Sequence, residues 1–297
     1  MRRDGRVTRG LWKKLLAAAA VATALIGAAV TAEAASARCE VNSDGILVIY
    51  DTAGKEVKRF SAGAGAHFDT KTAGNGNYVA FSRYASGSSG KSKCTIYRYD
   101  VSNGKVASAD LPSGFFSYDV DLYYGDSIYL TGWNPSDNAV GYRFYPEKVQ
   151  MEKIADGGVE HQYKNWLVLD STRVHGAFVP YKVYVYNINT KAVKTACKKA
   201  ASYTVSGKYI YSAVLKKNTY TPELGATYKI IRYDIVKGKT KTLVKTMKGY
   251  YVDRVTSKYV YSRKTKSGKT TYYRYSIKTK KTKRMSAGSY KKAAKLQ

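Results

Sequence analysis

Proline, cysteine and histidine are scarce in this sequence, whose 297 residues include five Pro, three Cys and three His. So few Cys and His residues cannot build a ligand-rich metal cluster, and no metal ion or other cofactor is predicted. Nucleophile-elbow, phosphate-loop and Cys-x-x-Cys motifs are also absent. No catalytic residue can therefore be assigned from a motif, and a non-catalytic protein is expected.

Two classes of residue are abundant. Hydrophobic residues make up 44% of the chain, which is enough to bury a sizeable core and excludes wholesale disorder. Lys and Arg number 51 against 21 Asp and Glu, so the formal charge is +30. An excess of this size predicts anionic partners or surroundings and says nothing about the fold.

The first 34 residues have the features of a secretory signal peptide. Basic residues precede a small and apolar run from Leu15 to Val30, and the small-x-small sequence Ala32-Glu33-Ala34 follows it. An uncleaved anchor helix is the alternative, although the run is short for a membrane span. We therefore predict a secreted or cell-envelope protein with a single domain from residue 38 to residue 297 and no membrane span in the mature chain.

Export affects the interpretation of the three cysteines, Cys39, Cys94 and Cys197, because exported thiols tend to oxidise. These residues allow three single disulfides, each of which leaves one thiol over. Three isolated buried thiols are the alternative. The sequence leaves the pairing open.

A short phrase recurs six times along the chain. Each copy ends in an aromatic anchor, followed by a polar residue and a turn that contains Gly or Lys. Successive anchors are 49, 45, 42, 47 and 42 residues apart, a regularity that indicates a repeat architecture. The anchors are Tyr50, Tyr99, Phe144, Tyr186, Tyr233 and Tyr275.

Each repeat contains the pattern of four short strands. The anchor strand is followed by a hairpin turn and a further strand, and it is preceded by two others, such as Ser202 to Val205 and Lys208 to Tyr211. Four strands in about 45 residues, repeated six times, predict an all-β fold, a six-bladed β-propeller of four-stranded antiparallel blades. Most of the 29 Tyr are assigned to packing between blades.

The two termini are expected to close the ring. The first repeat has too few residues before its anchor strand to provide an innermost strand. The tail from Ser286 to Gln297 contains Ser289-Tyr290, which is similar to the innermost-strand pattern of the other repeats. We therefore predict that the tail adds the missing strand to the first blade.

The phrase Tyr-Arg-Tyr-Asp-x-x-x-Gly-Lys occurs at Tyr97 to Lys105, and a similar run occurs at Ile231 to Lys239. Together with the Gly-x-Tyr-(Ile/Val) strands, it resembles the repeats of TolB-like six-bladed propellers, especially Tyr-rich forms from secreted bacterial proteins. The resemblance covers about residues 40 to 290. It implies a propeller that binds a protein or ligand, and it transfers no catalytic residue. The third and fourth repeats depart from the pattern, with Tyr145-Pro146 and Asn187 in place of Asp.

Positive charge is concentrated in the last third of the chain. Residues 38–190 contain 16 charges of each sign, whereas residues 191–297 contain 29 basic and three acidic residues. A solvated face that keeps the protein soluble is one interpretation. Solubility alone does not require a neutral half, so an anion-binding surface is the other.

The densest basic stretches provide the candidate anion-binding residues. The predicted partner is an anionic cell-wall polymer, an acidic polysaccharide or an acidic protein, and nucleic acid is disfavoured by export and by the lack of a recognisable module. Because Lys outnumbers Arg, we expect salt-dependent binding of low specificity. The candidates are Lys264, Lys266, Lys269, Lys280, Lys281, Lys283 and Arg284.

Polar residues of the innermost strands form a second group of candidates, at the central channel. Histidines and carboxylates in one place can act as an acid and a base or hold a metal ion, but channel strands also carry polar residues because the channel is wet. An extracellular polysaccharide hydrolase or lyase is therefore the alternative function, and a structural module of an envelope assembly is a third. The channel candidates are His67, Asp69, Asp119, Asp121, Glu160 and His161, with Asp253 and Arg254 in the last repeat.

Overall fold

The structure, a computed structural model, describes residues 36–86, 92–111, 115, 117–133, 139–171, 181–216 and 226–294. In these residues the chain forms 23 β-strands and one α-helix, and the strands pair in five antiparallel sheets. The all-β prediction is therefore confirmed. The predicted signal peptide, residues 1–34, lies outside the described residues. No helix among the described residues is long and apolar enough to cross a membrane.

The first two sheets contain the first two repeats. The three strands of the first sheet are β1 (Arg38–Val41), β2 (Leu47–Tyr50) and β3 (Glu56–Phe60). The strands of the second are β4 (Ala66–Phe68), β5 (Ala73–Asn75), β6 (Tyr78–Ser86), β7 (Ser92–Asp100) and β8 (Val106–Asp110). Because β4 and β5 pair with opposite ends of β6, they act as one inner strand with a gap in its middle.

The third and the last sheets have the predicted four strands each. Those of the third sheet are β9 (Ser117–Tyr124), β10 (Ser127–Trp133), β11 (Ala139–Tyr145) and β12 (Gln150–Ala155). Those of the last sheet are β20 (Tyr251–Val255), β21 (Tyr259–Lys266), β22 (Lys269–Ser276) and β23 (Thr282–Met285).

The fourth and fifth repeats form one sheet of seven strands, which differs from the prediction of separate four-stranded blades. The strands are β13 (Gly158–Tyr163), β14 (Trp166–Asp170), β15 (Tyr181–Asn187), β16 (Val193–Ser206), β17 (Tyr209–Leu215), β18 (Ala226–Asp234) and β19 (Lys239–Gly249). The long strand β16 pairs with β15 up to Ala200 and with β17 from Ala200 onward. It is therefore the outermost strand of the fourth repeat and the innermost strand of the fifth.

The hydrophobic core lies between consecutive sheets. One cluster joins Ile96 of β7 to Tyr118 and Val120 of β9, and another joins Ile230 of β18 to Val260 of β21. Tyrosine rings fill these spaces, as expected for aromatic side chains between splayed sheets. The hydroxyl of Tyr228 donates to the backbone oxygen of Tyr250 at 2.7 Å, whereas that of Tyr129 is buried and has no hydrogen-bond partner among the described residues. The four largest fully buried side chains are all tyrosines: Tyr118, Tyr129, Tyr228 and Tyr290.

In every repeat except the third, where Tyr145 stands at this position, the side chain of the polar residue after the anchor accepts a hydrogen bond from the turn that follows. Asp100 and Asp234 do so through Oδ1. Asn187, where the fourth repeat departs from the pattern, does the same: its Oδ1 accepts from the backbone N–H groups of Asn189 and Thr190, both at 3.0 Å. The fourth repeat therefore has the same turn as the second and fifth, because an amide oxygen accepts these bonds as a carboxylate does.

Replacing Asn187 with alanine is expected to lower the free energy of unfolding by about 1–2 kcal/mol, because a buried side chain is lost and two backbone donors of the turn lose their acceptor. Urea denaturation of the purified protein measures this change. Asn187→Asp is the control, since a carboxylate fills the same position in the second and fifth repeats, and it should stay within about 0.5 kcal/mol of the wild type. Equal destabilisation by both substitutions would contradict this role of the side chain.

The C-terminal tail is helical, so the prediction that it adds a strand to the first blade is wrong. Helix α1 (Ala287–Ala294) packs against the last sheet and buries Tyr290 completely. The ring of Tyr290 lies 4.7 Å from that of Tyr272, and its hydroxyl donates to Asp253 Oδ2 at 2.6 Å. The first sheet keeps three strands, and the sheet pairing of the described residues shows no ring closed by the two termini.

The three cysteines are free and buried, so the alternative with isolated thiols applies. Burial raises the pKa of both Cys39 and Cys94 to about 12, and it also raises the pKa of Cys197. Thiols that stay protonated at neutral pH are poor nucleophiles and poor metal ligands. They act here as small apolar residues of the core.

Candidate binding sites

A polar pocket of about 630 Å³ lies where the inner strands of the second, third and fourth repeats meet. Lys71, in the gap between β4 and β5, projects towards β9, and its Nζ lies 2.5 Å from Asp119 Oδ2 and 3.9 Å from Asp121 Oδ1. The side chain of Trp133 donates to the same oxygen of Asp119 at 3.1 Å. The interrupted inner strand of the second repeat thus places a cation against two carboxylates of the third.

Burial determines the electrostatics of this pocket. The Asp121 side chain is 9% exposed and accepts a hydrogen bond from Thr131 Oγ1 at 2.5 Å, and burial raises its pKa to about 7. The pKa of Glu160 is also raised to about 7, by burial first and then by the Asp170 carboxylate. Burial likewise raises the pKa of Asp69. The pocket therefore contains carboxyl groups that titrate near neutral pH.

The predicted channel residues converge only in part. His161 and Glu160 line the pocket with Asp121, whereas His67 stacks on the ring of Tyr84 at 5.1 Å. Lys71 is the component that sequence reasoning missed, because it lies in a segment without a strand pattern. Among the described residues, no three His, Cys, Asp or Glu side chains are grouped so that they could hold a metal ion.

Asp253 lies apart from this pocket, beneath helix α1. Its side chain is 4% exposed, and Arg263 Nε lies 3.1 Å from its Oδ2. Its neighbour Arg254 donates from Nη1 to the backbone oxygen of Ala293 at 3.2 Å. These two channel candidates therefore hold the C-terminal helix in place.

The predicted anion-binding residues fall into two groups at opposite ends of the last sheet. Lys266 and Lys269 are opposed at the hairpin between β21 and β22, whereas Lys280 and Lys281 lie in the turn after β22. The eight residues of β22 separate these groups by about 25 Å at the usual rise of an extended strand. Lys264 is engaged with Tyr250, whose hydroxyl lies 3.1 Å from its Nζ. The seven residues are therefore not one site.

An arginine directly before the anchor recurs in four repeats, and each one stacks on an aromatic ring, which belongs to the preceding strand in three repeats and to the arginine's own strand in the third. These cation–π pairs fix the guanidinium near the end of the sheet where the anchor strand turns. The distances from the guanidinium carbon to the ring centre are 4.9 Å for Arg98 and Tyr78, 4.6 Å for Arg143 and Tyr145, 4.3 Å for Arg232 and Tyr209, and 4.5 Å for Arg274 and Tyr259.

The residue opposite this arginine on the outermost strand changes sign along the chain. In the third repeat Arg143 is opposed by Glu152. In the fifth repeat Arg232 is opposed by Lys241, and in the sixth Arg274 is opposed by Lys283. Side chains directly opposite on antiparallel strands have Cβ atoms about 5 Å apart, so the last two repeats each hold two cations in contact range.

No protein-family model and no curated protein matches this sequence. Among solved structures, the chain is similar to the β-propeller domain of the Trilobed protease from Pyrococcus furiosus, with 13% identity, a TM-score of 0.41 and coverage of 75% of this chain and 71% of that one. It is also similar to TolB from Acinetobacter baumannii, with 15% identity, a TM-score of 0.36 and coverage of 83% and 62%.

A third similar structure is the acylaminoacyl peptidase from Pyrococcus horikoshii, with 13% identity, a TM-score of 0.38 and coverage of 71% of this chain and 38% of that chain. The chain thus spans less than two thirds of TolB and of this peptidase. The fold assignment rests on the sheets of the chain itself, which fit the TolB-like propeller predicted from its repeats. These similarities carry no statement about catalysis.

Proposed function

We propose that this protein is a secreted, non-catalytic binding protein of the cell envelope that attaches to an anionic polymer through its last two repeats. The observation that supports this proposal most directly is the presence of two like-charged cross-strand pairs, Arg232 with Lys241 and Arg274 with Lys283. Like charges directly opposite each other destabilise a sheet. A bound anion removes that cost, so the arrangement favours a protein that works with its partner attached.

The surface around these pairs supports the same proposal. We use the name basic outer strands for β19 and β23, whose exposed cations comprise Lys239, Lys241, Lys245, Lys248, Lys283 and Arg284. The outermost strand of the second repeat, β8, has the sequence VASAD and no basic residue. Lys280 connects the basic outer strands, since it precedes β23 and its Nζ donates to the backbone oxygen of Leu243 in β19 at 3.0 Å.

Replacing Lys241, Lys245, Lys283 and Arg284 with glutamine is expected to weaken binding to a polyanion such as heparin or teichoic acid at least tenfold at low salt. Four fewer cations also reduce the number of counterions released, so the dependence of affinity on salt becomes shallower. Isothermal titration at several salt concentrations measures both quantities. The prediction applies to the purified chain without its signal peptide.

Two matched variants sharpen this test. Replacing the exposed Lys55, Lys58, Lys105 and Lys164 with glutamine removes the same charge from the first four repeats and should change the affinity less than twofold. Replacing Lys264, Lys266 and Lys269 tests the hairpin end of the last sheet. Equal losses in all variants would mean that net charge alone attracts the polymer and would contradict a surface on the basic outer strands.

A second candidate function is an extracellular polysaccharide hydrolase or lyase that works in the polar pocket between the inner strands of the second, third and fourth repeats. The observation that favours it is the presence of Asp121 and Glu160 in one pocket, each with its pKa raised to about 7, as acid and base catalysis requires. Release of reducing ends or unsaturated products from acidic and neutral polysaccharides tests it. Turnover that is lost in Asp121→Asn supports catalysis, and absence of turnover in the wild type removes this candidate.

A further inference from the structure

The junction between the fifth and sixth repeats contains a guanidinium that faces the last sheet. Tyr228, Ile230 and Arg232 alternate along β18 and therefore share one face. Tyr228 and Ile230 are buried in a cluster with Val252 and Val260 of the last sheet, so this face is turned towards the sixth repeat. Arg232 continues it towards the turn that follows the anchor.

In the second and third repeats, an arginine occupies the position equivalent to Arg232, and carboxylates stand at three positions around it. Glu147, in the turn of the third repeat, forms an ion pair with Arg98 of the second repeat. Within the third repeat, Asp126 Oδ1 lies 3.3 Å from Arg143 Nη2, and Glu152 is the cross-strand partner of Arg143. The positive charge of Arg98 is therefore neutralised by the turn of the following repeat, and that of Arg143 by carboxylates of its own repeat.

Around Arg232, lysine stands at all three of these positions. Lys241 is the cross-strand partner, as Glu152 is in the third repeat. Lys208 occupies the position equivalent to that of Asp126. Each of the two lies two residues before the residue of the neighbouring strand that is the cross-strand partner of the anchor. Lys278 comes three residues after its anchor, as Glu147 does.

The turn that contains Lys278 lies against the fifth repeat. In the fourth repeat, Lys191 follows its anchor by five residues and pairs with Glu152 of the repeat before it, at 3.2 Å. Lys280 occupies the same place in the sixth repeat, with a similar positive φ of 60° against 58°, and contacts Leu243 of the fifth. Both turns therefore contact the outermost strand of the preceding repeat.

The Asp234 carboxylate lies near this group, and the turn that follows the anchor engages its Oδ1. Asp234 Oδ2 lies 3.7 Å from Lys208 Nζ, while its Oδ1 accepts from the backbone N–H groups of Val236 and Lys237. Arg232, Lys241 and Lys278 form no ion pair with any of the described residues. The junction therefore holds a net excess of positive charge.

From this arrangement we propose that a phosphate group of the bound polymer occupies the junction between the fifth and sixth repeats, held by Arg232, Lys241 and Lys278. This inference rests on the proposed function and assigns it a specific subsite. A guanidinium fixed over the ring of Tyr209 presents a rigid fork of donors, and lysines supply mobile charge around it, which suits a tetrahedral oxyanion. At the equivalent junction of the third and fourth repeats, a pocket of about 440 Å³ opens beside Arg143.

The other junctions provide an internal comparison. At the junction of the fourth and fifth repeats, Val185 occupies the position of the arginine and Val236 that of Glu147. At the junction of the first and second repeats, the residues at these two positions are Ile49 and Ser102. These pairs are uncharged. The excess of cations is therefore a property of this junction and not of the repeat itself.

Lys278→Glu tests the proposal, because it places a carboxylate where Glu147 pairs with Arg98. The matched control is Lys269→Glu, which makes the same charge change at the opposite end of the same sheet. With sodium tripolyphosphate as the probe in isothermal titration, we expect the dissociation constant to rise at least tenfold for Lys278→Glu and less than twofold for Lys269→Glu. Without ligand at low salt, Lys278→Glu should raise the melting temperature by about 2 °C, because a repulsive contact becomes an ion pair.

The possible outcomes separate this subsite from the general function. Equal loss of tripolyphosphate binding in both variants would overturn the subsite while leaving polymer binding by the basic outer strands intact. A polymer affinity that is unchanged in the four-residue glutamine variant would overturn the proposed function, and the subsite with it. Tighter binding of polygalacturonate than of tripolyphosphate, also lost in Lys278→Glu, would contradict phosphate and assign the junction to carboxylates.

Discussion

Replacing Tyr290 with alanine is expected to lower the free energy of unfolding by about 4 kcal/mol, as for other large aromatic side chains removed from a core. Tyr290 is fully buried, and its ring contacts those of Tyr261 and Tyr272 at 6.1 and 4.7 Å. Its hydroxyl also donates to the buried carboxylate of Asp253. The substitution removes the main apolar contact of α1 and leaves a buried acceptor with fewer partners. Urea denaturation measures the loss.

Tyr290→Phe separates the packing of the ring from the hydrogen bond. The phenylalanine keeps the ring, so we expect a smaller loss of about 1–2 kcal/mol, which reflects the missing donor to Asp253. Lys291→Ala is the control, because it changes an exposed residue of the same helix and should have little effect. If Tyr290→Ala and Lys291→Ala denature alike, the helix does not contribute to the stability of the last sheet.

The terminal helix explains how the last sheet ends. A terminal element of a repeat array must cover an apolar face that has no further repeat beside it. Tyr259, Tyr261, Tyr272 and Met285 form such a face, and α1 packs on it with Tyr290. The helix therefore caps the sixth repeat, in place of the strand exchange that a ring closed by its termini requires.

The helix was missed in the sequence because its signals are weak over so short a segment. Ser286 is its N-terminal cap: the backbone N–H of Ser289 donates to Ser286 Oγ at 3.4 Å, and that of Tyr290 to Ser286 O at 3.0 Å. A serine before a stretch rich in Ala and Lys is a helix signal. The Ser-Tyr pair, however, also fits an inner strand. Contact with Tyr272, which sequence alone does not show, decides between them.

The repeats could be predicted because they show in the spacing of the aromatic anchors along the sequence. The candidate binding sites could not, because they depend on which residues are paired across neighbouring strands. The six anchors each fall within or at the end of a strand, as the aromatic pattern indicates. The basic character of the last two repeats is equally visible in the sequence. The opposition of Arg232 to Lys241 is not visible, because bulges in the pairing of β18 with β19 shift the partners. The convergence of Lys71 with Asp119 also needs the fold, since 48 residues separate them.

The contribution of Asp121 to the stability of the protein is expected to fall as the pH rises from about 4 to about 7. An unfolded aspartate has a pKa near 3.9, whereas burial raises the pKa of folded Asp121 to about 7. Between these values the folded state binds more protons than the unfolded state, so raising the pH favours unfolding. Lys71 opposes this effect, and the nearby Asp119 and Glu160 carboxylates strengthen it.

Asp121→Asn therefore should stabilise the protein above pH 7, by an amount on the order of 2–4 kcal/mol, and have little effect below pH 4. The amide keeps an oxygen that can accept from Thr131, so packing and this hydrogen bond are retained. Unfolding free energies from urea titrations at pH 4, 6 and 8 give the difference between variant and wild type. The widening of that difference with pH is the signature of a buried carboxylate that resists ionisation.

Asp110→Asn is the matched control for this experiment. Asp110 is exposed and its pKa is lowered by the hydrogen bond from Lys93, then by that from Thr95, so removing its charge should give no stabilisation at any of these pH values. Parallel pH profiles for Asp121→Asn and wild type would show that Asp121 is ionised at no cost and would remove it as an acid or base of the pocket. A divergent profile would instead show that this pocket keeps a carboxyl group that exchanges a proton near neutral pH.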